Sequence, residues 1–216
     1  MSSAEIVDIT FAQGDMPEAF FKPNSPADKF RRILFRCFLI KTEERKILVD
    51  AGCETMPGWT MYNFIGPIKA LANQNLTPED ITDVIITHTH SDHIEGIPFF
   101  EHSNIYIQRD EYESGKGYFT DSMKVILFND EYRLCDAVRV VKIASHSIGS
   151  SVVEVIDGTD QYVLSGDEFY VWDTVNELKE RIQKPDYAPA DESERKKAEF
   201  LKRYNDWKIV LCHSEF

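Results

Sequence analysis

The sequence predicts an α/β or α+β fold in which sheets and helices pack in layers. Two observations favour it: short β-branched segments of strand length and amphipathic segments of helix length alternate in both halves of the chain. Apolar residues make up 43% and charged residues 28% of the sequence, as in ordinary globular domains. A length of 216 residues suits one well-buried core, so we expect residues 1–216 to form a single domain.

The predicted strands share runs of Val, Ile, Leu or aromatic residues bounded by turn-forming residues. Two runs in the first quarter of the chain flank a short polar turn and are expected to form a hairpin. Asp50-Ala51-Gly52 breaks the second strand of that hairpin sharply. In chain order, the predicted strands are residues 6–11, 32–40, 46–49, 83–87, 104–108, 137–143, 151–156, 161–164 and 208–211.

Three segments carry helix signals. Residues 66–73 form a short amphipathic pattern, and Thr77-Pro78 is a typical helix start because proline is tolerated at the first helical position. Residues 193–204 are predicted to form a charged helix with a solvated face. Residues 56–62 and 184–190 are predicted to be irregular.

The charge balance argues against a nucleic-acid partner. The chain has 37 acidic and 24 basic residues, a formal net charge of -13. Nucleic-acid binding usually requires a basic surface that releases phosphate counterions, and the densest basic stretch, residues 195–197, is surrounded by glutamates. We therefore expect no nucleic-acid partner.

Three features predict a protein of the reducing cytoplasm with no membrane partner. No apolar run approaches the ~20 residues that cross a bilayer. Residues 1–5 lack the basic and apolar regions of a signal peptide. The four cysteines are dispersed and form no C-x-x-C pair.

The segment 87–93 reads Thr-His-Thr-His-Ser-Asp-His and directly follows a β-branched strand. Alternate side chains of extended backbone point to the same side, so His88 and His90 can face one ion. The turn that follows can direct Asp92 and His93 towards a second ion nearby. Imidazole and carboxylate groups suit a borderline cation such as Zn²⁺. Because one ion rarely needs all four groups, the segment predicts two divalent metal ions.

Three further candidate ligands lie outside that segment. His146 lies between two predicted strands, Asp167 follows a glycine at a strand end, and His213 follows the last predicted strand. Taken alone, each such residue is more often structural, but the neighbouring motif favours metal ligation. Only His102 of the six histidines is assigned no role.

The 87–93 motif, followed by His146, Gly166-Asp167 and His213, strongly resembles the metallo-β-lactamase superfamily. The resemblance covers nearly the whole chain and implies a four-layer αββα sandwich with metals at one edge of the two sheets. Many relatives have Gly-His-Thr-Pro-Gly around the fourth histidine, where this chain has Ser-His-Ser-Ile-Gly. By the family pattern, the first metal is held by His88, His90 and His146, the second by Asp92, His93 and His213, and Asp167 bridges them.

Within the superfamily, the chain is most similar to N-acyl-homoserine lactonases. Residues 50–54 and 105–112 look like segments of those enzymes, and Tyr170 stands three residues after Asp167, as in their Asp-x-x-Tyr pattern. That likeness implies that Tyr170 contacts the carbonyl group of a small substrate. Packing is the alternative role for this tyrosine.

Other branches of the superfamily fit less well. The redox di-iron branch has Glu in place of His90, and the main antibiotic-cleaving zinc enzymes have Cys in place of Asp167. Glyoxalase II-like thioesterases share the seven ligands but usually carry a basic helical region after the last of them, whereas three residues follow His213. Such a thioesterase is one alternative, and a non-catalytic metal-binding or sensor domain is another.

The resemblance also implies a mechanism. A hydroxide shared by the two metals attacks the substrate carbonyl. Asp92 is expected to bind metal and to shuttle a proton to the leaving oxygen, while Tyr170 stabilises the oxyanion. Zn²⁺ is the favoured metal, with Mn²⁺ or Fe²⁺ as alternatives. The sequence does not determine the oligomeric state.

Two sets of residues are expected near this site. Trp59, Tyr62 and Phe64 either cover the metals beside an apolar substrate group or pack in the core. Cys53 and Cys212 are expected close to the site as buried, inert thiols.

Overall fold

Two β-sheets form the centre of the computed structural model, which describes residues 3–22 and 24–214. The strands are β1 (Glu5–Pro17), β2 (Phe30–Lys41), β3 (Lys46–Val49), β4 (Thr60–Tyr62), β5 (Asp83–Ile86), β6 (Asn104–Gln108), β7 (Lys124–Phe128), β8 (Glu131–Cys135), β9 (Val138–Lys142), β10 (Ser151–Asp157), β11 (Asp160–Leu164) and β12 (Lys208–Val210). The larger sheet has the order β4-β1-β2-β3-β5-β6-β7, and the smaller has β12-β11-β10-β9-β8.

Both sheets contain parallel and antiparallel strand pairs. β3, β5, β6 and β7 are parallel, and every residue of β5 is buried, which suits its continuous Val-Ile-Ile run. β1 and β2 form a long antiparallel pair with one register shift. In the smaller sheet only β11 and β12 are parallel.

Side-chain alternation builds a core between the sheets. Along β2, Phe38 and Ile40 face the smaller sheet while Leu39 faces the other way. Along β10, Val153 and Val155 face the larger sheet. These side chains are almost completely buried, so the apolar layer between the sheets excludes water.

Helices cover the two outer faces of the sheets. They are α1 (Pro67–Ala72), α2 (Ser91–Ile94), α3 (Arg109–Ser114), α4 (Trp172–Ile182) and α5 (Glu192–Arg203). Leu71 of α1 joins the core on the larger sheet, whereas Leu178 of α4 and Phe200 of α5 pack on the smaller sheet. The layers are therefore α, β, β and α, and the predicted αββα sandwich is confirmed. Among the described residues, no helix has the length and apolar character to span a membrane.

All nine predicted strands are present, but the sequence reading missed other elements. The strands β7 and β8, which belong to different sheets, and the helix α4 were not predicted, and residues 56–62, expected to be irregular, contain β4. Thr77-Pro78 begins only a three-residue 3₁₀ helix, Pro78–Asp80. β4 and β8 lie at sheet edges, where exposed polar residues weaken the strand pattern.

Candidate metal centre

The 87–93 segment begins where β5 ends. Its first residue is fixed by Asp50, whose carboxylate accepts hydrogen bonds from the Thr87 backbone N–H at 2.7 Å and from the Thr87 hydroxyl at 2.8 Å. His90 has extended backbone, and α2 starts immediately after it. One helical turn therefore carries Asp92 and His93.

The other three candidate ligands follow strands of the smaller sheet. His146 lies between β9 and β10, and His213 lies just beyond β12. Asp167 follows β11 in a turn where Gly166 has a φ of 49°, a conformation that glycine adopts without a steric cost. Strand ends of both sheets thus supply the site.

Four of the seven residues form what we define as the first cluster: His88, His90, His146 and Asp167. His90 Nδ1 lies 3.1 Å from His88 Nε2 and 2.9 Å from His146 Nε2. Asp167 Oδ2 lies 3.6 Å from His88 Nε2 and 3.5 Å from His146 Nε2. Ligand atoms around one tetrahedral zinc are about 3.3 Å apart for bonds of about 2.05 Å, so these spacings suit a single ion.

The second cluster contains Asp92, His93 and His213, together with the shared Asp167. His93 Nε2 and His213 Nε2 lie 3.3 Å apart, and each is 3.2 Å from Asp167 Oδ1. Asp92 Oδ2 lies 3.3 Å from His213 Nε2 and 3.5 Å from His93 Nε2. The structure thus brings all seven predicted residues together, in the two groups expected from the sequence.

Asp167 divides its two carboxylate oxygens between the clusters. Oδ2 faces the first cluster and Oδ1 faces the second. Only 4% of Asp167 is exposed, and Oδ1 is buried without a hydrogen-bond partner among the described residues. A buried carboxylate oxygen with no donor is unfavourable unless a cation compensates it. Five imidazoles and two carboxylates arranged in this way fit two divalent cations that share Asp167.

Four of the five imidazoles are also oriented through the ring nitrogen that faces away from their cluster. Such contacts fix the ring and leave Nε2 directed at a cation. The contacts join His88 to Thr87 Oγ1 at 3.1 Å, His93 to Asp50 Oδ2 at 2.7 Å, His213 to the Leu34 carbonyl oxygen at 2.9 Å and His146 to Tyr170 Oη at 3.5 Å.

Burial and charge act differently on the histidine pKa values of the two clusters. Burial lowers the pKa of His88 well below its ordinary value and that of His146 to about 4. These rings are therefore neutral and have a free lone pair. Burial alone would also lower the pKa of His93 and His213, but the Asp167 carboxylate raises both well above the ordinary value. The second cluster thus has a strong preference for positive charge.

A family model described as the metallo-beta-lactamase superfamily matches residues 36–213. The chain belongs to this superfamily. A probable metallo-hydrolase of Methanocaldococcus jannaschii is 34% identical over 122 residues, which cover 56% of this chain and 50% of that protein. An N-acyl homoserine lactonase of Bacillus cereus is 28% identical over 139 residues, which cover 52% of this chain and 54% of that protein. The chain thus spans about half the length of the curated relatives it matches.

Solved structures agree in fold with nearly the whole chain. A B. thuringiensis AiiA mutant with N-decanoyl-L-homoserine bound has a TM-score of 0.80 and 18% identity, covering 99% of this chain and 94% of that one. AidC, described as a dizinc quorum-quenching lactonase, has a TM-score of 0.73 and 16% identity, covering 99% and 91%. At these identities the likeness shows the fold.

A cavity of about 480 Å³ opens onto both clusters of this metallo-β-lactamase fold. Its floor includes residues of each cluster, and Tyr170 contributes to its wall. The Tyr170 ring stacks on His213 at 5.6 Å between centroids, and burial raises the pKa of its hydroxyl, which therefore stays protonated. Apart from Ser91, the rest of the wall is apolar and consists of Met16, Phe20, Phe35, Met56 and Trp59.

The three aromatic residues expected above the metals take different positions. Trp59 lines the cavity and packs edge-on against Phe35. Tyr62 lies elsewhere, where its hydroxyl donates to Asp15 at 2.9 Å, and Phe64 packs against the core ring of Phe11. Of the three residues, Trp59 lines the cavity and also packs against the core, whereas Tyr62 and Phe64 do not line it.

The two cysteines expected near the metals are fully buried. Cys212 Sγ lies within 4.8 Å of the ligand atoms of His93, Asp167 and His213, so it borders the second cluster. Its thiol donates to the Arg36 carbonyl oxygen at 3.1 Å. Burial raises the pKa of Cys53 to about 12, and that of Cys212 is raised for the same reason. Both thiols are protonated, as expected of inert cysteines.

The sequence reading missed several residues that hold the ligands. Arg36 on β2 is mostly buried and binds the segment that carries His213. Its guanidinium donates to the carbonyl oxygens of Leu211 and, at 3.0 Å, Cys212. Arg36 carried no motif signal, because in an alternating strand a single arginine is typical of a solvent-facing position.

Proposed function

We propose that this chain, as a single domain, is a binuclear metal-dependent hydrolase that acts on the carbonyl group of a small lactone or ester. The observation that supports this most is the division of the buried Asp167 carboxylate between the two clusters. Two divalent ions held by such a ligand set supply an activated water and polarise the substrate carbonyl. Zn²⁺ is the favoured ion because the clusters offer mainly imidazole ligands.

Asp92 has the position of a proton carrier. Its Oδ2 faces the second cluster, and the residue lines the cavity. Burial alone would raise the pKa of Asp92, but the neighbouring His93 and His213 hold it well below its ordinary value. The carboxylate is therefore ionised, and its position beside the second cluster and at the cavity supports a role in passing a proton from the attacking water to the leaving oxygen.

Tyr170 has the position of an oxyanion donor. Its hydroxyl lies at the wall of the cavity, 3.5 Å from His146 Nδ1, and is protonated. A fixed O–H directed at a developing oxyanion stabilises the transition state more than the ground state. Tyr170 and Asp92 are thus the two residues that we propose as catalytic.

The cavity wall favours substrates with an apolar group. Met16, Phe20 and Trp59 could enclose an acyl chain beside the reacting carbonyl. Curated relatives include N-acyl homoserine lactonases, and a structure with the same fold holds N-decanoyl-L-homoserine. We infer that an N-acyl lactone is the substrate class to test first.

The test begins with protein stripped of metal by a chelator and reloaded with Zn²⁺, Mn²⁺ or Fe²⁺. Acid release is then measured for N-hexanoyl- and N-decanoyl-homoserine lactones, an aryl ester and an acyl thioester at equal enzyme concentration. His146→Gln is expected to lose activity and bound metal. His102→Gln is the matched control, since His102 lies in neither cluster, and it should retain both.

Each result has a defined meaning. Metal-dependent lactone turnover well above thioester turnover supports the proposal. Faster thioester turnover would assign a glyoxalase II-like activity instead. A protein that binds two ions but hydrolyses none of the substrates would be a metal-binding or sensor domain.

A further inference from the structure

Glu111 on α3 is a buried carboxylate that lies outside both clusters. Only 2% of the residue is exposed, and its side chain points towards the loops that carry the first cluster. A buried carboxylate that accepts several hydrogen bonds holds its donors in fixed places, because breaking any one of them leaves a charge poorly satisfied. The identity of its donors therefore indicates what Glu111 does.

One oxygen of Glu111 holds the 87–93 segment. Oε1 accepts the Thr89 backbone N–H at 2.9 Å and the Thr89 hydroxyl at 2.8 Å. Thr89 lies between His88 and His90 in the sequence. The hydrogen bonds that fix Thr89 therefore also restrict the positions of both histidines. Among the described residues, the hydrogen bonds that Glu111 accepts come from Thr89, Ser147 and Gly149, and none comes from Asp92, His93 or His213.

The other oxygen holds the loop of residues 143–150, which we define as the His146 loop. Oε2 accepts the Ser147 hydroxyl at 2.7 Å and the Gly149 backbone N–H at 2.9 Å. Ser147 directly follows His146. Glu111 thus connects the two loops that supply all three histidines of the first cluster.

A second buried carboxylate completes the support of the His146 loop. Glu168 accepts hydrogen bonds from the hydroxyls of Ser145 and, at 2.5 Å, Ser150. Ser150 Oγ in turn accepts the His146 backbone N–H at 3.2 Å. The serines of this chain's Ser-His-Ser-Ile-Gly segment are therefore the groups through which the loop is fixed.

We propose that Glu111 is a positioning residue for the first cluster, which sets the affinity of that cluster for its cation and leaves the second cluster largely unaffected. The proposal rests on the metal centre described under the proposed function. It concerns cation binding alone, so it can be tested without measuring hydrolysis.

Glu111→Gln is the sharpest single change. It keeps the shape of the side chain but replaces one acceptor oxygen with an NH₂ group. Whichever way the amide turns, that NH₂ group faces either the Thr89 or the Gly149 backbone N–H. Two donors cannot bond to each other, so one of the two loops is released.

The matched control is Glu154→Gln. Glu154 is also buried, with 4% exposed, and its carboxylate binds Arg139, Arg203 and Tyr204 instead of either cluster. Both variants and the wild type are stripped of metal, titrated with Zn²⁺ by calorimetry, dialysed and assayed for bound zinc. Outer contacts of metal ligands typically change affinity 10- to 100-fold, so Glu111→Gln should lose one ion of two and Glu154→Gln none.

Double variants identify which ion is lost. In a His213→Gln background, where the first cluster is intact, adding Glu111→Gln should remove the remaining ion. In a His146→Gln background it should change little, because the first cluster is already impaired. Equal effects in both backgrounds, or unchanged zinc affinity in Glu111→Gln, would overturn the proposal.

A milder variant covers the case in which Glu111→Gln does not fold. Ser147→Ala removes one hydrogen-bond donor to Glu111 and should lower the affinity of the first cluster for its cation several-fold. Unchanged zinc binding in that variant would also overturn the proposal. A wild type that binds two ions but hydrolyses no substrate would refute the proposed function and leave the role of Glu111 intact.

Discussion

The first and second clusters share Asp167, yet the chain supports them in different ways. The three histidines of the first cluster lie on two loops that the buried carboxylate of Glu111 joins, and Glu168 further holds the His146 loop. In the second, Arg36 and the backbone of β2 hold the segment that carries His213. We therefore expect cation binding at the two clusters to be separately adjustable, although they share Asp167.

The two clusters also differ in their access to solvent. His90 of the first cluster is exposed and borders both the 480 Å³ cavity and a second cavity of about 630 Å³ beside α3. His93 and His213 of the second cluster are 1% exposed. We therefore expect chelators to remove the ion of the first cluster sooner.

Asp167→Asn should have the largest effect, because it changes both clusters at once. The amide has no negative charge. Its NH₂ group would face the Nε2 atom of His88 or of His93, which is proposed to bind a cation. We expect kcat/KM for a lactone to fall on the order of 1000-fold, about 4 kcal/mol, with less than two ions bound. Metal content and turnover are measured together, and undiminished turnover would remove the bridging role.

Tyr170→Phe should have the second-largest effect. It distinguishes a role of this side chain in catalysis from a role in metal binding. Tyr170 contacts His146 of one cluster and His213 of the other without being one of the seven ligands. Loss of one oxyanion donor typically lowers kcat about 100-fold. The expected result is a lower kcat with two ions still bound. Loss of an ion would instead show that the tyrosine supports the ligands.

Gly149→Ala tests the support of the first cluster by steric means. An added Cβ would lie 2.8 Å from the Glu111 backbone nitrogen and would clash with the Gln108 side chain. Overpacking of this kind costs about 1–3 kcal/mol. The midpoint of urea unfolding should fall accordingly. Gly117→Ala, whose Cβ would meet no atom within 4 Å, is the neutral control.

Arg36→Met should have the smallest effect and should be confined to the second cluster. The variant keeps an apolar stem but loses the hydrogen bonds to the carbonyl oxygens beside His213. We expect the second ion to bind about tenfold more weakly, with the first unchanged. Calorimetric zinc titration checks this. If the affinity of the first cluster for its ion fell instead, the two clusters would not be independent.

Much of the fold and the seven converging residues could be predicted from sequence, because their signals are local or are carried by the family likeness. The 87–93 segment is compact, and β5 before it is an uninterrupted apolar run. Short runs of Val, Ile, Leu or aromatic residues likewise predicted β10 and β11. These features need no knowledge of distant contacts.

The supporting residues could not be predicted, because their signals exist only in three dimensions. Glu111 is one of many acidic residues on a polar helix, and its burial depends on loops that follow much later in the chain. Arg36 faces the end of β12 only after the two sheets have packed together. The helix α4 was missed although Val175 and Leu178 have helical spacing, since the segment is otherwise polar.

The distribution of ligands over both sheets has a consequence for biogenesis. His88 leaves the ribosome long before Asp167 and His213, which follow strands of the smaller sheet. A nascent chain therefore offers only a partial set of candidate donors, and we expect a cation to reach the Asp167 oxygen only after the sandwich has closed. Metal acquisition should be a late event, performed by a chain that is already folded.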